Sequence, residues 1–173
     1  MAETMIAYPK HWFVLIVLVV ESIVLYLFLA ALLDANSILR EFWLVLCPLV
    51  GGILFLLLVP PIFTNHSITS SVLRLRMGLL IDAEIPTSAI VKVKETSMTR
   101  GGLKIGIGVR YLPITRHLFV TSGFGNLVSL KLEEAVPIGK LRKRMVEEII
   151  VNVNFPRGMM DALENATSGS RKG

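Results

Sequence analysis

The stretch WFVLIVLVVESIVLYLFLAALL (Trp12–Leu33) is followed, after eight residues, by FWLVLCPLVGGILFLLLVPPIF (Phe42–Phe63). Each run has 22 residues, and a helix of that length reaches about 33 Å, enough to cross a hydrocarbon core of about 30 Å. The linker Asp34–Glu41 is too short to cross back. We therefore expect an antiparallel transmembrane hairpin that anchors the protein in the cell membrane, with both termini on one side.

The composition divides the chain into two parts. Of its 173 residues 53% are hydrophobic, and the excess lies in residues 1–63, the predicted hairpin. Residues 64–166 are expected to form one β domain, and residues 167–173 a disordered Ser/Gly/Lys tail. Residues 64–173 hold 16 of the 18 Lys and Arg residues but nine of the 13 Asp and Glu residues. A basic domain beside a bilayer is attracted to anionic headgroups, by roughly 1 kcal/mol per well-placed cation.

Beyond the hairpin the hydrophobic period changes to two, which is typical of strands with one buried face. Strands are predicted at Val72–Arg76 and Leu80–Ile85 around a turn at Met77-Gly78. Further short strands follow at spacings of 8–15 residues, which favours an antiparallel barrel or sandwich. The last strand is expected at Glu147–Val153. A helix over Arg157–Asn165, entered through Pro156, is expected to cap one end.

Three segments carry a family resemblance: Ile68–Gly78, Ala83–Val93 and Val153–Leu163. They contain a strand, a glycine turn, an isoleucine-proline step with a second strand, and a closing strand, proline and helix. This order resembles the bacterial pleckstrin-homology-like domains, which often follow two membrane helices. The resemblance implies an α+β membrane protein with a pleckstrin-homology-like β-barrel and a C-terminal capping helix, and it implies fold and membrane association more than activity.

The densest cluster of positive charge is Lys140-Leu-Arg-Lys-Arg144. Its cations, Lys140, Arg142, Lys143 and Arg144, are here called the basic segment. One interpretation is a contact with an anionic lipid or an acidic partner beside the bilayer. The other is a solvated turn whose charge is balanced by the acidic residues at 147 and 148. The sequence leaves both open.

Four more cations lie on predicted strands, at Arg74, Arg76, Lys92 and Lys94. Asp82 and Glu84 lie on the strand between them, so cross-strand salt bridges are the favoured interpretation of this second cluster. A turn centred on residue 78 predicts that residue 74 is paired with residue 82.

Glu21 lies near the middle of the first predicted helix, where an ionisable group costs about 2.5–3.5 kcal/mol on insertion scales. Folding the hairpin about its linker brings Gly51 and Gly52 within one turn of its level, and small residues let helices approach closely. Two interpretations remain open. In the first, Glu21 is a proton or ion relay, or it contacts a polar group of a partner subunit. In the second, Glu21 is a protonated carboxyl that is hydrogen-bonded inside the hairpin or inside a homo-oligomer. A relay usually needs more polar neighbours than Ser22.

The motif search assigns no reaction. His11, His66 and His117 lack metal-ligand spacing, and the sequence offers no catalytic set, phosphate-cradling loop or basic-aromatic stripe for nucleic acid. We therefore expect a non-enzymatic protein without metal, cofactor or nucleic-acid partner.

The distribution of positive charge predicts the orientation of the hairpin. Each outer end of the hairpin has more cations nearby than the linker between the two helices has. The positive-inside rule therefore predicts that both termini are cytoplasmic.

Three functional hypotheses follow. The leading one is a membrane-anchored interaction module that presents its β domain to an unknown protein partner at the cytoplasmic face. The second is an anionic-lipid sensor that uses the basic segment. The third is a small subunit of a membrane transport complex that uses Glu21.

Overall fold

The structure is a computed structural model that describes residues 3–33, 37–96, 99–100, 103–104, 107–123, 125–139 and 143–170. The helices are α1 (His11–Leu33), α2 (Ser37–Leu58), α3 (Pro60–Phe63) and α4 (Pro156–Ser170). The strands are β1 (Thr4–Ile6), β2 (His66–Ile68), β3 (Val72–Met77), β4 (Ile81–Pro86), β5 (Ile90–Thr96), β6 (Thr99–Arg100), β7 (Leu103–Lys104), β8 (Gly108–Leu112), β9 (His117–Thr121), β10 (Leu127–Ile138) and β11 (Arg144–Asn152). This confirms the α+β class, with two long apolar helices ahead of the sheets.

The two long helices pair as a hairpin. α1 and the segment Ile38–Phe63 are long and apolar enough to cross a membrane, and most of their large side chains are exposed. α2 begins at residue 37, five residues before the predicted start. It ends at Leu58 because the following Pro60 and Pro61 have no N–H to continue the backbone ladder.

The strands form two main sheets and a small hairpin of β6 and β7. The first sheet has the order β1-β2-β3-β4, and the second has the order β5-β10-β11-β9-β8. β11 lies between β9 and β10, which run in opposite directions. It is therefore antiparallel to β10 and parallel to β9, so the second sheet is mixed rather than antiparallel.

The prediction of a closed barrel is wrong for the described residues. β4 ends at Pro86, and a 3₁₀ turn over Thr87–Ala89 carries the chain to β5 in the other sheet. Proline cannot extend the ladder, and β4 and β5 remain the edges of two separate sheets.

One core connects the two sheets with α4. It includes Leu73 and Ile85 from the first sheet, Leu130 and Ile149 from the second, and Met159 from α4. All five side chains are fully buried. Burial of a side chain of this size contributes about 1.5–3 kcal/mol, so this core is the main source of stability of the β domain.

Two element boundaries differ from the prediction. β10 continues to Ile138, although the alternation stops after residue 132, because a β-bulge between Lys131 and Val136 shifts the register. α4 continues past the predicted end at residue 165 to Ser170. Four residues assigned to the disordered tail are therefore helical, and residues 171–173 lie outside the described chain.

The β3–β4 hairpin has a longer turn than predicted. Residue 74 is paired with Glu84, and Arg76 with Asp82, so the predicted register is wrong by two residues. The reason is that Gly78, with a φ of +55°, opens the turn instead of forming its centre. The predicted salt bridge is confirmed as a diagonal contact, since Nε and Nη2 of Arg74 each lie 2.9 Å from an oxygen of the Asp82 carboxylate.

Gly78 provides a stability prediction. A Cβ at this position would lie 2.5 Å from Cδ of Pro61 and would be attached to a residue with positive φ. We expect Gly78→Ala to destabilise the β domain by about 2 kcal/mol, through backbone strain and overpacking. Denaturant unfolding of the full chain in detergent measures the change. Gly125→Ala is the control, because a Cβ there meets nothing within 4 Å; equal stability of the two variants would contradict the prediction.

Candidate functional site

The residues before α1 and after α3 belong to the same sheet. β1 pairs antiparallel with β2, with Thr4 opposite Ile68 and Ile6 opposite His66. The backbone N–H of Asn154 also donates to the carbonyl of Ala7, at 2.9 Å. Both outer ends of the hairpin are thus part of the β domain and lie on the same side of the helices. The sequence analysis missed β1, because three residues are too few to show a period.

Tyr8 stabilises the junction, the region where both outer ends of the hairpin meet the β domain. Its buried hydroxyl donates to the carbonyl of Pro61 and lies 3.0 Å from Oγ1 of Thr64. The same threonine oxygen accepts the N–H of Gly78, at 2.9 Å. Burial raises the pKa of Tyr8. One short network therefore connects the segment before α1, the end of α3 and the β3–β4 turn.

His66 lies beneath the Tyr8 ring. The two rings are stacked with centroids 4.9 Å apart, and Nδ1 of His66 accepts the N–H of Arg76, at 3.2 Å. The neutral ring therefore carries its proton on Nε2. This nitrogen is buried and makes no hydrogen bond with the described residues. Burial lowers the pKa of His66 to about 4, so the imidazole is neutral at physiological pH.

A second contact joins α1 to the other sheet. A Cβ on Gly123 would lie 2.8 Å from Cδ1 of Trp12, so the indole packs directly on the loop after β9. That loop is held by Asn152, whose Oδ1 accepts the hydroxyl of Ser122 at 2.6 Å, and whose Nδ2 donates to the carbonyl of Gly125. The hairpin is therefore attached to both main sheets.

The second sheet carries three exposed lysines on one face. Lys92 of β5 is directly opposite Lys131 of β10, and Lys94 is opposite Ser129. Paired residues and residues two apart share a face, so Lys92, Lys94 and Lys131 form one patch, here called the lysine face. None of the three makes an ion pair with a carboxylate in the described ranges. Like charges opposite each other destabilise a sheet, so this face favours an acidic partner.

The middle of the same face is polar and already satisfied. Glu148 lies on β11 between Ser129 and His117. It accepts the Ser129 hydroxyl, and its Oε2 lies 3.2 Å from Nε2 of His117. The Ser129 hydroxyl therefore contacts a carboxylate and not the imidazole that usually activates a nucleophilic serine. Glu148 is also the β11 residue directly opposite Lys131, so Lys131 has a carboxylate residue on one side and Lys92 on the other.

The structure separates the cations that we grouped from the sequence. Arg74 and Arg76 lie on the first sheet beside Asp82, as predicted, whereas Lys92 and Lys94 lie on the second. The predicted balance by Asp82 and Glu84 is therefore wrong for the two lysines. In the structure Lys92 is opposite Lys131, and Lys94 is opposite Ser129. The pairing of β10 with β5 was not predicted, because long-range strand pairing leaves no local signal.

The basic segment is described in part, because Lys140 and Arg142 lie outside the described residues. Lys143 is exposed. The guanidinium of Arg144 lies 5.1 Å from the centroid of the Tyr111 ring, a cation–π contact. The Tyr111 hydroxyl donates to the carbonyl of Met145, at 2.9 Å. Arg144 is therefore engaged within the domain.

Glu21 packs against the second helix near Gly51. A Cβ on Gly51 would lie 3.0 Å from Cγ1 of Val24 and 3.5 Å from Oε2 of Glu21. A Cβ on Gly52 would meet nothing within 4 Å, so Gly51 forms the close contact between the helices and Gly52 lies outside it. The hydroxyl of Ser22 donates to the carbonyl of Leu18, at 2.6 Å, and so turns back into its own helix.

Comparisons of the chain with known protein families, with curated proteins and with solved structures find no match. The resemblance to pleckstrin-homology-like domains therefore stays a proposal.

His66 predicts a specific pH dependence. Its folded pKa of about 4 lies below the unfolded value of about 6.5. The unfolded chain therefore binds more protons between these values, and stability falls as the pH is lowered from about 6.5 to about 4. We expect this group to contribute a loss of up to about 3 kcal/mol.

Denaturant unfolding of the full chain across this pH range measures the loss, with His66→Gln as the comparison. Carboxylates titrate equally in both proteins, so the difference in slope belongs to His66. The same pH slope in wild type and variant would contradict a buried neutral imidazole.

Proposed function

We propose that the protein is a membrane-anchored, non-enzymatic interaction module. The α1–α2 hairpin holds a pleckstrin-homology-like β domain at the cytoplasmic membrane face, and the lysine face of that domain binds an acidic protein partner. The observation that carries the proposal is the attachment of both hairpin ends to the β domain. A domain on a flexible tether samples many orientations, whereas this one presents the same surface to every partner in the membrane plane.

The architecture of the β domain supports the family assignment. Two packed sheets are followed by a C-terminal helix whose Met159 and Leu163 enter the core. This is the order of elements that the resemblance implies, although the strands of this chain form open sheets. The membrane assignment is supported by the length and apolar surface of α1 and of residues 38–63.

The lysine face supports an acidic partner through its charge, since no carboxylate residue is opposite Lys92 or Lys94 and one, Glu148, is opposite Lys131. Three exposed ammonium groups lie on adjacent strands, and two of them are directly opposite each other. An acidic segment of a partner removes this repulsion on binding. Such an interaction accelerates association and weakens as salt shortens the Debye length from about 10 Å at 0.1 M to about 3 Å at 1 M.

Glu21 supports a second role for the hairpin. Its carboxyl lies against Gly51 in a surface that is otherwise apolar, and a polar group in hydrocarbon favours association with another polar group. We infer that a second copy, or a membrane partner with a polar helix, meets the hairpin here.

The partner proposal predicts a selective loss of binding. Replacing Lys92, Lys94 and Lys131 by Glu should abolish co-purification of the partner with the full chain in mild detergent, since attraction becomes repulsion. Gln replacements at Lys140, Arg142, Lys143 and Arg144 form the matched comparison. They test the basic segment and should leave the partner bound at low salt.

Three outcomes count against the lysine face. The partner remains on the triple variant, or it is lost only from the basic-segment variant, or no protein binds while vesicles of anionic lipid do. The last outcome would favour the lipid-sensor hypothesis.

The orientation gives a separate prediction. The cation distribution favours cytoplasmic termini. Cysteines introduced near residue 37, in a chain with Cys47→Ala, should react with an impermeant reagent in intact cells, and cysteines near residue 170 should not. The opposite labelling would place the lysine face outside the cell and remove the cytoplasmic partner from consideration.

A further inference from the structure

The turn between β3 and β4 carries unusual residues at its tip. Leu79 is 69% exposed and Leu80 is 38% exposed. Surface turns are dominated by Gly, Pro, Asn, Asp and Ser, because their backbones and short polar side chains suit the turn and water. Two consecutive leucines at an exposed tip leave apolar surface in contact with solvent and therefore indicate a contact that is missing from the isolated chain.

The position of this turn is fixed by its neighbours. A Cβ on Gly78 would lie 2.5 Å from Cδ of Pro61, so the turn is pressed against α3. Its first N–H is bound by Thr64. Phe63, the last residue of α3, is 79% exposed. The exposed apolar side chains at residues 63, 79 and 80 therefore belong to one end of the helical hairpin.

This end lies at the boundary of the bilayer if the hairpin spans it. α2 has 22 residues and a length of about 33 Å, against a hydrocarbon core of about 30 Å. Leu58 thus falls near the edge of the hydrocarbon, and α3, beginning two residues later, falls among the headgroups. The turn that touches α3 lies at the same depth.

We propose that Phe63, Leu79 and Leu80 form a membrane-docking rim that inserts into the boundary between headgroups and acyl chains. The proposal rests on the membrane anchoring proposed above. The occupant is the lipid itself, because the turn contacts α3 at the end of α2, whose side chains Leu56 and Leu57 are apolar and exposed. Insertion fixes the tilt of the β domain and so the direction in which the lysine face points.

Depth-dependent fluorescence quenching tests the rim in the full chain. Single cysteines are introduced into a Cys47→Ala background, labelled with an environment-sensitive fluorophore and reconstituted into vesicles of phosphatidylcholine and phosphatidylglycerol. Leu79→Cys tests the rim. Leu18→Cys, on an exposed site of α1, reports helix insertion. Ile114→Cys, at a 99% exposed position, is the control outside the bilayer, because β9 separates its turn from the loop that touches Trp12.

A quencher on the lipid near the headgroup should act on residue 79 several-fold more strongly than on residue 114, and aqueous iodide should show the reverse order. If residue 18 is quenched by lipid but residues 79 and 114 are quenched equally, the rim proposal is wrong while the membrane anchoring stands. If residue 18 is not quenched, the anchoring itself fails.

A second copy of the chain is the competing occupant. In that case residue 79 is shielded from both quenchers, and Leu79→Cys chains form disulfide-linked dimers under mild oxidation. That result would overturn the lipid proposal and assign the rim to an interface between copies.

Discussion

The buried hydroxyl of Tyr8 is the contact on which the arrangement of this protein depends. It joins the segment before the first helix to the Pro61 carbonyl in α3, beside Thr64, which in turn binds the β3–β4 turn. An unsatisfied polar group at a buried site costs about 1–3 kcal/mol. The hydroxyl, the carbonyl and the threonine therefore each keep the others in place. The β1–β2 pairing and the packing of Trp12 on Gly123 also attach the hairpin, and the Tyr8 network adds a link to the β3–β4 turn.

A fixed junction changes what the rest of the structure can do. The lysine face lies on the second sheet, which contacts α1 through the packing of Trp12 on Gly123, while Tyr8 and Pro61 hold the first sheet. Both sheets also share one core with α4. Each surface of the domain thus has one direction relative to the helices. This suits a module that must meet a partner in a defined orientation, because the entropy of orienting the domain is not lost on binding.

The sequence predicted those parts of the fold that have a local signal. The hairpin followed from the length of its apolar runs, and the β3–β4 strands from the alternation around Gly78. The closed barrel was wrong, because the order of strands depends on long-range pairing. The same reason hid the opposition of Lys92 and Lys131 and the three-residue strand Thr4–Ile6. The β-bulge in β10 interrupts the alternation of apolar and polar residues, so the sequence did not show that β10 continues to Ile138. Lys92 and Lys94 were named as cations from the sequence, but they were assigned to salt bridges with Asp82 and Glu84, and their grouping with Lys131 was missed.

The rigidity of the junction can be measured by the distance distribution between two spin labels. One is attached at Leu33→Cys, at the far end of α1, and the other at Ile114→Cys in the β domain, in a chain with Cys47→Ala reconstituted in lipid nanodiscs. Both positions are exposed, so the labels leave the core intact. The account predicts a single narrow distance in the wild-type background and a broader one when Tyr8→Phe removes the shared hydroxyl. A broad distribution that is already present with Tyr8 in place would contradict it.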